Sequence, residues 1–187
     1  MNNIKEIKII SSLEKIYDSD SMPSDSLRSF SLLKNEKKSF QLAIETEIKS
    51  RQVVFADAKS FGEAEILADG TSVVAALDES GNTIGHVVVN SAKGYGGDIS
   101  VMTGVDAEGK VTGVNILSHA ETAGLGAKAA ESSFRDKFVG LVNGITVSKD
   151  KAGENSIDAI TGATITSRAV VNAVNAAIEA AGGENIG

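Results

Sequence analysis

The sequence predicts an α+β fold, in which a twisted antiparallel sheet has helices packed on it and a short β-rich extension precedes it. Three observations lead to this prediction. Four strand-like runs follow one another between residues 72 and 117, glycine occurs in each connection between them, and segments with helical periodicity come mostly after them. Strands that are grouped and then followed by helices indicate a sheet with helices on one face.

The four runs are rich in β-branched residues and are bounded by turn-forming residues. They are Ser72–Leu77, Thr83–Val89, Ile99–Val105 and Val111–Leu117. The connections DESGN, SAKGYGG and DAEGK suit antiparallel hairpins, so we expect a meander in one sheet. The stretch before them, RQVVFADAKSFGEAEI, is predicted to form a helix followed by a loop.

Two helices are predicted after the strands. The first covers Ala127–Val139 and places Phe134 and Phe138 on one face, four residues apart. A short strand, GITVS, and a polar loop separate it from the second helix, which runs from about Ser167 to Ala181. Apolar residues repeat every four positions in this last helix, and two glycines end it.

Composition divides the chain near residue 50. All 19 glycines lie after that position, and the one proline lies before it. Residues 1–50 carry eight basic and eight acidic side chains, so the net charge of −7 belongs to residues 51–187. We therefore expect a β-rich N-terminal segment at 1–50 and one main domain at 51–187.

The N-terminal segment contains two strand-like stretches, Ile4–Ser12 and Lys37–Ile48, joined by a polar loop. Through SSLEKIYD and KNEKKSFQLAI it is similar to the opening strands of the N-terminal β-sandwich of family 123 glycoside hydrolases. No catalytic carboxylate pair accompanies this resemblance, so the role of the segment stays open.

Composition also excludes several classes of function. A net charge of −7 argues against nucleic-acid binding, which needs clustered Lys and Arg. With no cysteine and two histidines, a thiolate or histidine-rich metal site is not expected, and redox chemistry would need an organic cofactor. No apolar run reaches the roughly 20 residues that span a bilayer, and the charged N-terminus does not match a signal peptide. We expect the chain as written to be soluble.

The stretch TGATITS, residues 161–167, lies where the last helix is predicted to begin. Free N–H groups and the helix dipole favour an anion there, phosphate above all. Gly162 and Ala163 allow close approach to the main chain, and a threonine hydroxyl can donate to a phosphate or carry it as an ester. The alternative is that Thr166 or Ser167 simply caps the helix.

With the aspartate before it, DAITGATITS resembles the flavinylation motif of the FMN-binding subunits of Rnf and Nqr electron-transport complexes. KGYGGDISVMTGVD, GKVTGVNILSHAETAGLGAK and FRDKF extend the resemblance over residues 51–181, with the G subunits of Rnf-type complexes as the nearest type. The resemblance implies FMN bound covalently by a phosphoester to Thr164, with Thr161, Gly162 and Ala163 around it. A separate Mg-dependent flavin transferase makes that bond from FAD.

The same resemblance implies further cofactor-binding residues. The loop HAETAGLGAK would lie against the flavin ring, with Glu121, Thr122, Leu125 and Gly126 nearest, and Ala123 stands where the family usually has proline. For Glu121 the alternative is a carboxylate at the start of a helix.

Other residues are less specific candidates. Asp158 is either read by the transferase or orders its loop, the alternative being a plain loop carboxylate. Tyr95 either stacks near the flavin or fills a turn. Lys128 and Arg168 would neutralise the phosphate charge or stay in solvent, and His119 is expected to be structural.

The resemblance implies an electron relay within an ion-translocating ferredoxin:NAD oxidoreductase, rather than a stand-alone enzyme. Its partners would be other subunits of that membrane complex, and its place the extracytoplasmic face of the membrane. Family members carry an N-terminal transmembrane helix, which is absent from this sequence. Two alternatives are the FMN-binding module of a soluble flavin-dependent reductase and a non-catalytic extracellular binding module.

Overall fold

The computed structural model describes residues 48–148 and 153–182. Five strands form one antiparallel sheet in the order β1-β2-β3-β4-β5, and two short strands, β6 and β7, pair in parallel. The strands are β1 Ser60–Ile66, β2 Ser72–Leu77, β3 Thr83–Lys93, β4 Asp98–Asp106, β5 Val111–Ser118, β6 Thr146–Ser148 and β7 Ser156–Asp158. A helix at Thr164–Gly182, here called the C-terminal helix, completes the fold. The predicted α+β class and the meander are confirmed.

The predicted strand runs correspond to β2–β5, and β2 has the predicted bounds. The loop predicted over SFGEAEI is wrong, because these residues form β1. β1 pairs with β2 alone at the edge of the sheet, and most of its side chains are exposed. Only residues 63–66 of β1 alternate polar and apolar residues, and a bulge separates Ala64 from Phe61. A pattern this short did not identify the strand.

The continuous helix predicted at Ala127–Val139 is also wrong. The structure has a 3₁₀ turn at Gly126–Ala130, one α-helical turn at Ser132–Arg135 and a second 3₁₀ turn at Asp136–Phe138. Glu131 interrupts the helix with extended backbone angles, φ −76° and ψ 145°. The predicted aromatic pair nevertheless forms, since the Phe134 and Phe138 rings are both buried and meet edge to face at 5.5 Å.

The segment before the C-terminal helix, and the start of the helix itself, differ from prediction. GITVS forms β6 as predicted, but the loop expected after it contains β7. The C-terminal helix begins at Thr164, three residues before the predicted start, and ends at Gly182. Among residues 48–148 and 153–182 no helix has both the length and the hydropathy needed to cross a bilayer.

The strands predicted at 4–12 and 37–47 lie outside the described residues. Ile48, the last residue of the second predicted strand, is helical, and the helical stretch continues to residue 54. This agrees with the helix predicted near the start of RQVVFADAKSFGEAEI.

Both faces of the sheet are covered. Alternation along β3 sends Val88 into the core beneath the C-terminal helix, whereas Val87 points to the opposite face. On the helix side, Val170 and Val174 are fully buried against the sheet. The opposite face is covered by a smaller cluster formed around residues 54–58. The sheet is therefore a central layer with buried residues packed on both of its faces.

Two facing glycines let the chain approach the second face closely. Gly104 on β4 lies opposite Gly113 on β5. A Cβ atom added at Gly113 would lie 2.8 Å from the Val54 Cα, which leaves no room for a side chain. The Thr112 hydroxyl beside them donates a 2.6 Å hydrogen bond to the Val54 carbonyl. The segment at residue 54 thus packs backbone to backbone on the sheet.

We predict that Gly113→Ala lowers the free energy of unfolding by about 1–3 kcal/mol, because the added methyl must displace backbone rather than a flexible side chain. Gly62→Ala is the matched control, since its Cβ would meet the Ala75 side chain at an ordinary 3.4 Å. Urea unfolding measures both variants. Equal stability of the two would contradict the close packing at Val54.

Candidate functional site

An open cleft with a volume of about 530 Å³ lies at the start of the C-terminal helix. Three segments form its walls: the β3–β4 turn, the loop after β5, and the stretch that begins the helix. The lining residues are Tyr95, Glu121, Thr122, Leu125, Gly126, Gly162, Ala163, Thr164, Ile165 and Thr166. The sequence-based candidates thus come together from positions that are far apart in the chain.

Two of the candidates in the segment 158–167 are not part of the lining. Thr161 is exposed just before the cleft, and Asp158 is exposed at the end of β7. Two lining residues were not among the predicted site residues, Ile165 and Thr166. Both lie in the first turn of the helix, so the position of the motif at a helix start was the signal that could have found them.

The hydroxyls of Thr166 and Ser167 are occupied by contacts within the protein. Thr166 is buried and donates to the Glu121 carboxylate. Ser167 is buried as well; its hydroxyl donates to the Ala163 carbonyl at 2.9 Å and accepts from the Ile160 N–H at 2.9 Å.

The predicted alternative, that Thr166 or Ser167 caps the helix, is therefore wrong. Both residues lie inside the helix, as its third and fourth residues. The Ala163 carbonyl accepts the Ser167 N–H at 3.0 Å, which puts Ala163 at the N-cap position. Alanine has no side-chain acceptor, so the free N–H groups of the first turn are left for another partner.

Thr164 differs from these two residues. It is the first residue of the helix, is half-buried and lines the cleft. Within the described residues its hydroxyl has no hydrogen-bond partner. The helix is 19 residues long, so its dipole and its unpaired N–H groups favour an anion next to this hydroxyl.

Glu121 joins two walls of the cleft. Its side chain is 8% exposed, and one carboxylate oxygen accepts the Gly96 N–H at 2.8 Å. The other oxygen accepts the Thr166 hydroxyl. The alternative of a carboxylate at the start of a helix is not supported, because the 3₁₀ turn after Leu125 has no side-chain cap. Glu121 instead connects the β3–β4 turn to the C-terminal helix.

The surroundings of Glu121 keep it ionised. Burial raises the pKa of this carboxyl, but the hydrogen bonds from the Thr166 hydroxyl and the Gly96 N–H outweigh burial and hold the pKa below its ordinary value. The N–H of Glu121 itself donates to His119 Nδ1 at 3.2 Å, a structural contact for that histidine. A Cβ at Gly126 would lie 2.6 Å from a Glu121 oxygen, so a larger residue there would displace the carboxylate.

The mouth of the cleft is apolar. Tyr95, Leu125 and Ile165 all line it and are 72%, 45% and 54% exposed. Lys128 and Arg168 are exposed and do not belong to the lining. A bound anion in this cleft therefore meets helix N–H groups rather than a cationic side chain, and a flat apolar group finds surface at the mouth.

Within the described residues no group of three His, Asp or Glu side chains is placed to hold a metal ion. The cleft offers a binding site at a helix N-terminus, where the Thr164 hydroxyl is unpaired within the described residues.

Comparison with known proteins agrees with this geometry. The sequence pattern of the FMN-binding domain family matches residues 94–179, a range that includes every residue lining the cleft. The structure is also similar to that of the C subunit of the Na(+)-translocating NADH-quinone reductase from Parabacteroides distasonis, with a TM-score of 0.54 and 20% identity over 75% of this chain and 92% of that one. At that identity the likeness shows the fold alone.

Two curated relatives belong to larger complexes. The chain is 39% identical over 140 residues to the G subunit of the proton-translocating ferredoxin:NAD(+) oxidoreductase complex of Clostridium ljungdahlii, covering 74% of each chain. It is 41% identical over 109 residues to the G subunit of the Na(+)-translocating complex of Acetobacterium woodii, covering 54% of this chain and 50% of that one. The chain belongs to the FMN-binding domain family, in the group formed by the G subunits of Rnf-type ion-translocating oxidoreductases.

Proposed function

We propose that this protein is an electron-transfer flavoprotein domain whose FMN is attached covalently, through a phosphoester, to Thr164. It serves as a relay in an Rnf-type ion-translocating ferredoxin:NAD oxidoreductase. The observation that carries the proposal is the unpaired Thr164 hydroxyl in a cleft at a helix N-terminus, within a chain of this family.

The choice of Thr164 follows from the state of the neighbouring hydroxyls. Thr166 and Ser167 are buried and hydrogen-bonded, and Thr161 lies outside the lining. Thr122 also lines the cleft, but it precedes a short 3₁₀ turn and not the 19-residue helix. Only Thr164 combines access to the cleft with the N–H groups and dipole that stabilise a phosphate.

The cleft fits the two ends of FMN. Its volume of about 530 Å³ is typical of small-molecule sites. The start of the C-terminal helix suits the phosphate, and the exposed side chains of Tyr95, Leu125 and Ile165 offer apolar surface to a flat aromatic ring. When bound, FMN supplies one- and two-electron chemistry, while the protein supplies attachment, orientation and electrostatics.

Formation of the phosphoester needs an external enzyme. The Thr164 oxygen would attack the flavin-side phosphorus of FAD, AMP would leave, and the hydroxyl proton would pass to a base on the enzyme. An alcohol is a weak nucleophile unless a base or metal activates it. Glu121 is the one carboxylate among the residues that line the cleft, but both its oxygens already accept hydrogen bonds. We therefore propose that a Mg-dependent flavin transferase attaches the flavin. We also propose that this transferase recognises Asp158, which is exposed before TGATITS.

A covalent tether suits a relay that works from an open cleft. A cofactor that exchanges electrons with partner subunits must stay partly exposed, and a shallow site alone would release it. The partners we propose are other subunits of the membrane complex, with this domain at the extracytoplasmic face. In this proposal residues 51–187 form the electron-transfer domain, and residues 1–50 form a separate segment.

We predict that Thr164→Val abolishes covalent flavin after co-expression with a flavin transferase, because it removes the attachment oxygen while keeping the shape of the side chain. Thr164→Ser should retain attachment, and Thr161→Val is the matched control outside the cleft. Flavin fluorescence in denaturing gels and intact mass, which increases by one FMN less one water, measure the result.

Two outcomes would contradict this proposal. If flavin is still attached covalently in Thr164→Val, the phosphoester must be formed by another hydroxyl. A wild-type protein that stays colourless after maturation favours a non-catalytic binding module instead.

The pH dependence of stability tests the ionised state of Glu121. Its folded-state pKa is lowered, so its contribution to stability is fully present above the unfolded value of about 4.3 and is lost as pH falls through the folded-state pKa. We predict that wild type and Glu121→Gln differ in unfolding free energy by a constant amount at neutral pH and that this difference shrinks below about pH 4. Urea titrations at several pH values measure it. A difference that does not change with pH would show that Glu121 is not the ionised group described here.

A further inference from the structure

The cleft contains a second threonine hydroxyl beside the proposed attachment point. Thr164 and Thr166 both line the cleft, and both lie in the first turn of the same helix. By residue type alone either could carry a phosphoester. What distinguishes them is that Thr166 donates its hydroxyl proton to Glu121, whereas Thr164 has no partner within the described residues.

The Glu121 contact joins parts of the chain that are far apart in sequence. Glu121 lies 45 residues before Thr166 and 25 residues after Gly96, and its carboxylate binds both. Because the carboxylate is buried and its pKa is lowered, it acts as a charged hydrogen-bond acceptor. Hydrogen bonds to a charged acceptor are stronger than neutral ones, so this contact fixes the first turn of the C-terminal helix.

Small residues around the carboxylate indicate that this arrangement is packed tightly. A Cβ at Gly126 would lie 2.6 Å from a Glu121 oxygen and 2.7 Å from the Thr166 hydroxyl oxygen. A Cβ at Gly94 would lie 2.7 Å from Ile99 and would also overlap Glu121. The carboxylate and the Thr166 hydroxyl therefore occupy space that larger residues at positions 94 and 126 would take up.

We propose that Glu121 is a positioning residue that determines which hydroxyl of the motif is flavinylated. It occupies the Thr166 hydroxyl and orients the first helical turn, so that, of the two threonines in that turn, Thr164 presents the hydroxyl that is unpaired within the described residues. This inference rests on the proposed attachment of FMN to Thr164. It assigns Glu121 to the selection of the attachment site, whereas the sequence predicted contact with the flavin ring.

The proposal explains why a carboxylate, rather than an amide, lies here. A carboxylate only accepts hydrogen bonds, so the Thr166 hydroxyl must donate to it. In Glu121→Gln the amide can donate to Thr166 instead, which releases the Thr166 proton and loosens the turn. The shape of the side chain is nearly unchanged, so the substitution tests the effect of the negative charge while the packing stays nearly the same.

The test uses the full chain, purified flavin transferase and FAD, with the initial rate and the labelled residue determined by peptide mass spectrometry. In Glu121→Gln we expect the rate at Thr164 to fall about tenfold or more, because small misplacements of a reacting group have effects of that size. We also expect part of the label to appear on Thr166. In Glu121→Gln/Thr166→Val the label should return to Thr164 alone at the reduced rate.

Glu108→Gln is the matched control, since it removes an exposed carboxylate in the β4–β5 turn. It should be labelled as wild type. Labelling of Glu121→Gln at Thr164 only, at the wild-type rate, would overturn the proposal. So would a fall in rate that follows the unfolded fraction without any label on Thr166, because that is the result of a purely structural role.

A measurement on unlabelled protein separates this inference from the proposed function. Hydrogen exchange of the Gly96 amide should quicken in Glu121→Gln and stay unchanged in Glu108→Gln. If wild type is not labelled on Thr164, the proposed attachment fails and with it the selective role of Glu121. If wild type is labelled and Gly96 exchange is the same in both variants, the attachment stands and the positioning role is overturned.

Discussion

The buried Glu121 carboxylate, bound between the Gly96 N–H and the Thr166 hydroxyl, is the interaction on which the cleft depends. It ties the tip of the β3–β4 hairpin to the start of the C-terminal helix. A buried charge is stable only when hydrogen bonds replace its hydration, and here two walls of the cleft supply them. The loss of either contact would leave a desolvated polar group, so the two walls stay together.

The rest of the fold supports that arrangement. The C-terminal helix packs along the sheet through Val170 and Val174, and the Asn90 side chain donates to the Ala173 carbonyl at 2.8 Å. The other sheet face is covered closely at Val54 because glycines lie beneath it. A helix that is held over its length presents a fixed N-terminus. Free N–H groups, an open cleft and the Thr164 hydroxyl, which is unpaired in the part of the chain that the structure describes, then occur at the same place.

Much of the sheet was predictable from sequence, because β2–β5 combine β-branched residues with glycine-containing turns. The edge strand β1 was not, since most of its residues are exposed and a bulge interrupts its short alternating pattern. The break at Glu131 was also missed, because spacing shows that Phe134 and Phe138 share a face but not that the helix before them is interrupted.

The candidate site, like the fold, was predicted from the sequence in part. The motif indicated which residues surround the helix start, and most of them line the cleft. The sequence could not show which hydroxyls are occupied, because the partner of Thr166 is 45 residues away and that of Ser167 depends on how the chain enters the helix. For the same reason Thr161 and Asp158, adjacent in sequence to the lining residues, are outside the lining. The local sequence pattern predicted which segments form the cleft. Tertiary contacts determine which side chains line it and which hydroxyls are hydrogen-bonded.

The central claim, a phosphate shared between FMN and Thr164 at a helix N-terminus, is tested most directly by phosphorus NMR of the matured protein. A phosphodiester has no second ionisation, whereas the phosphate of free or non-covalently bound FMN titrates with a pKa of about 6. Our account predicts one phosphorus resonance that couples to the Thr164 β-proton and keeps its chemical shift between about pH 5 and 8. A resonance that titrates in this range, or that shows no coupling to Thr164, would contradict it.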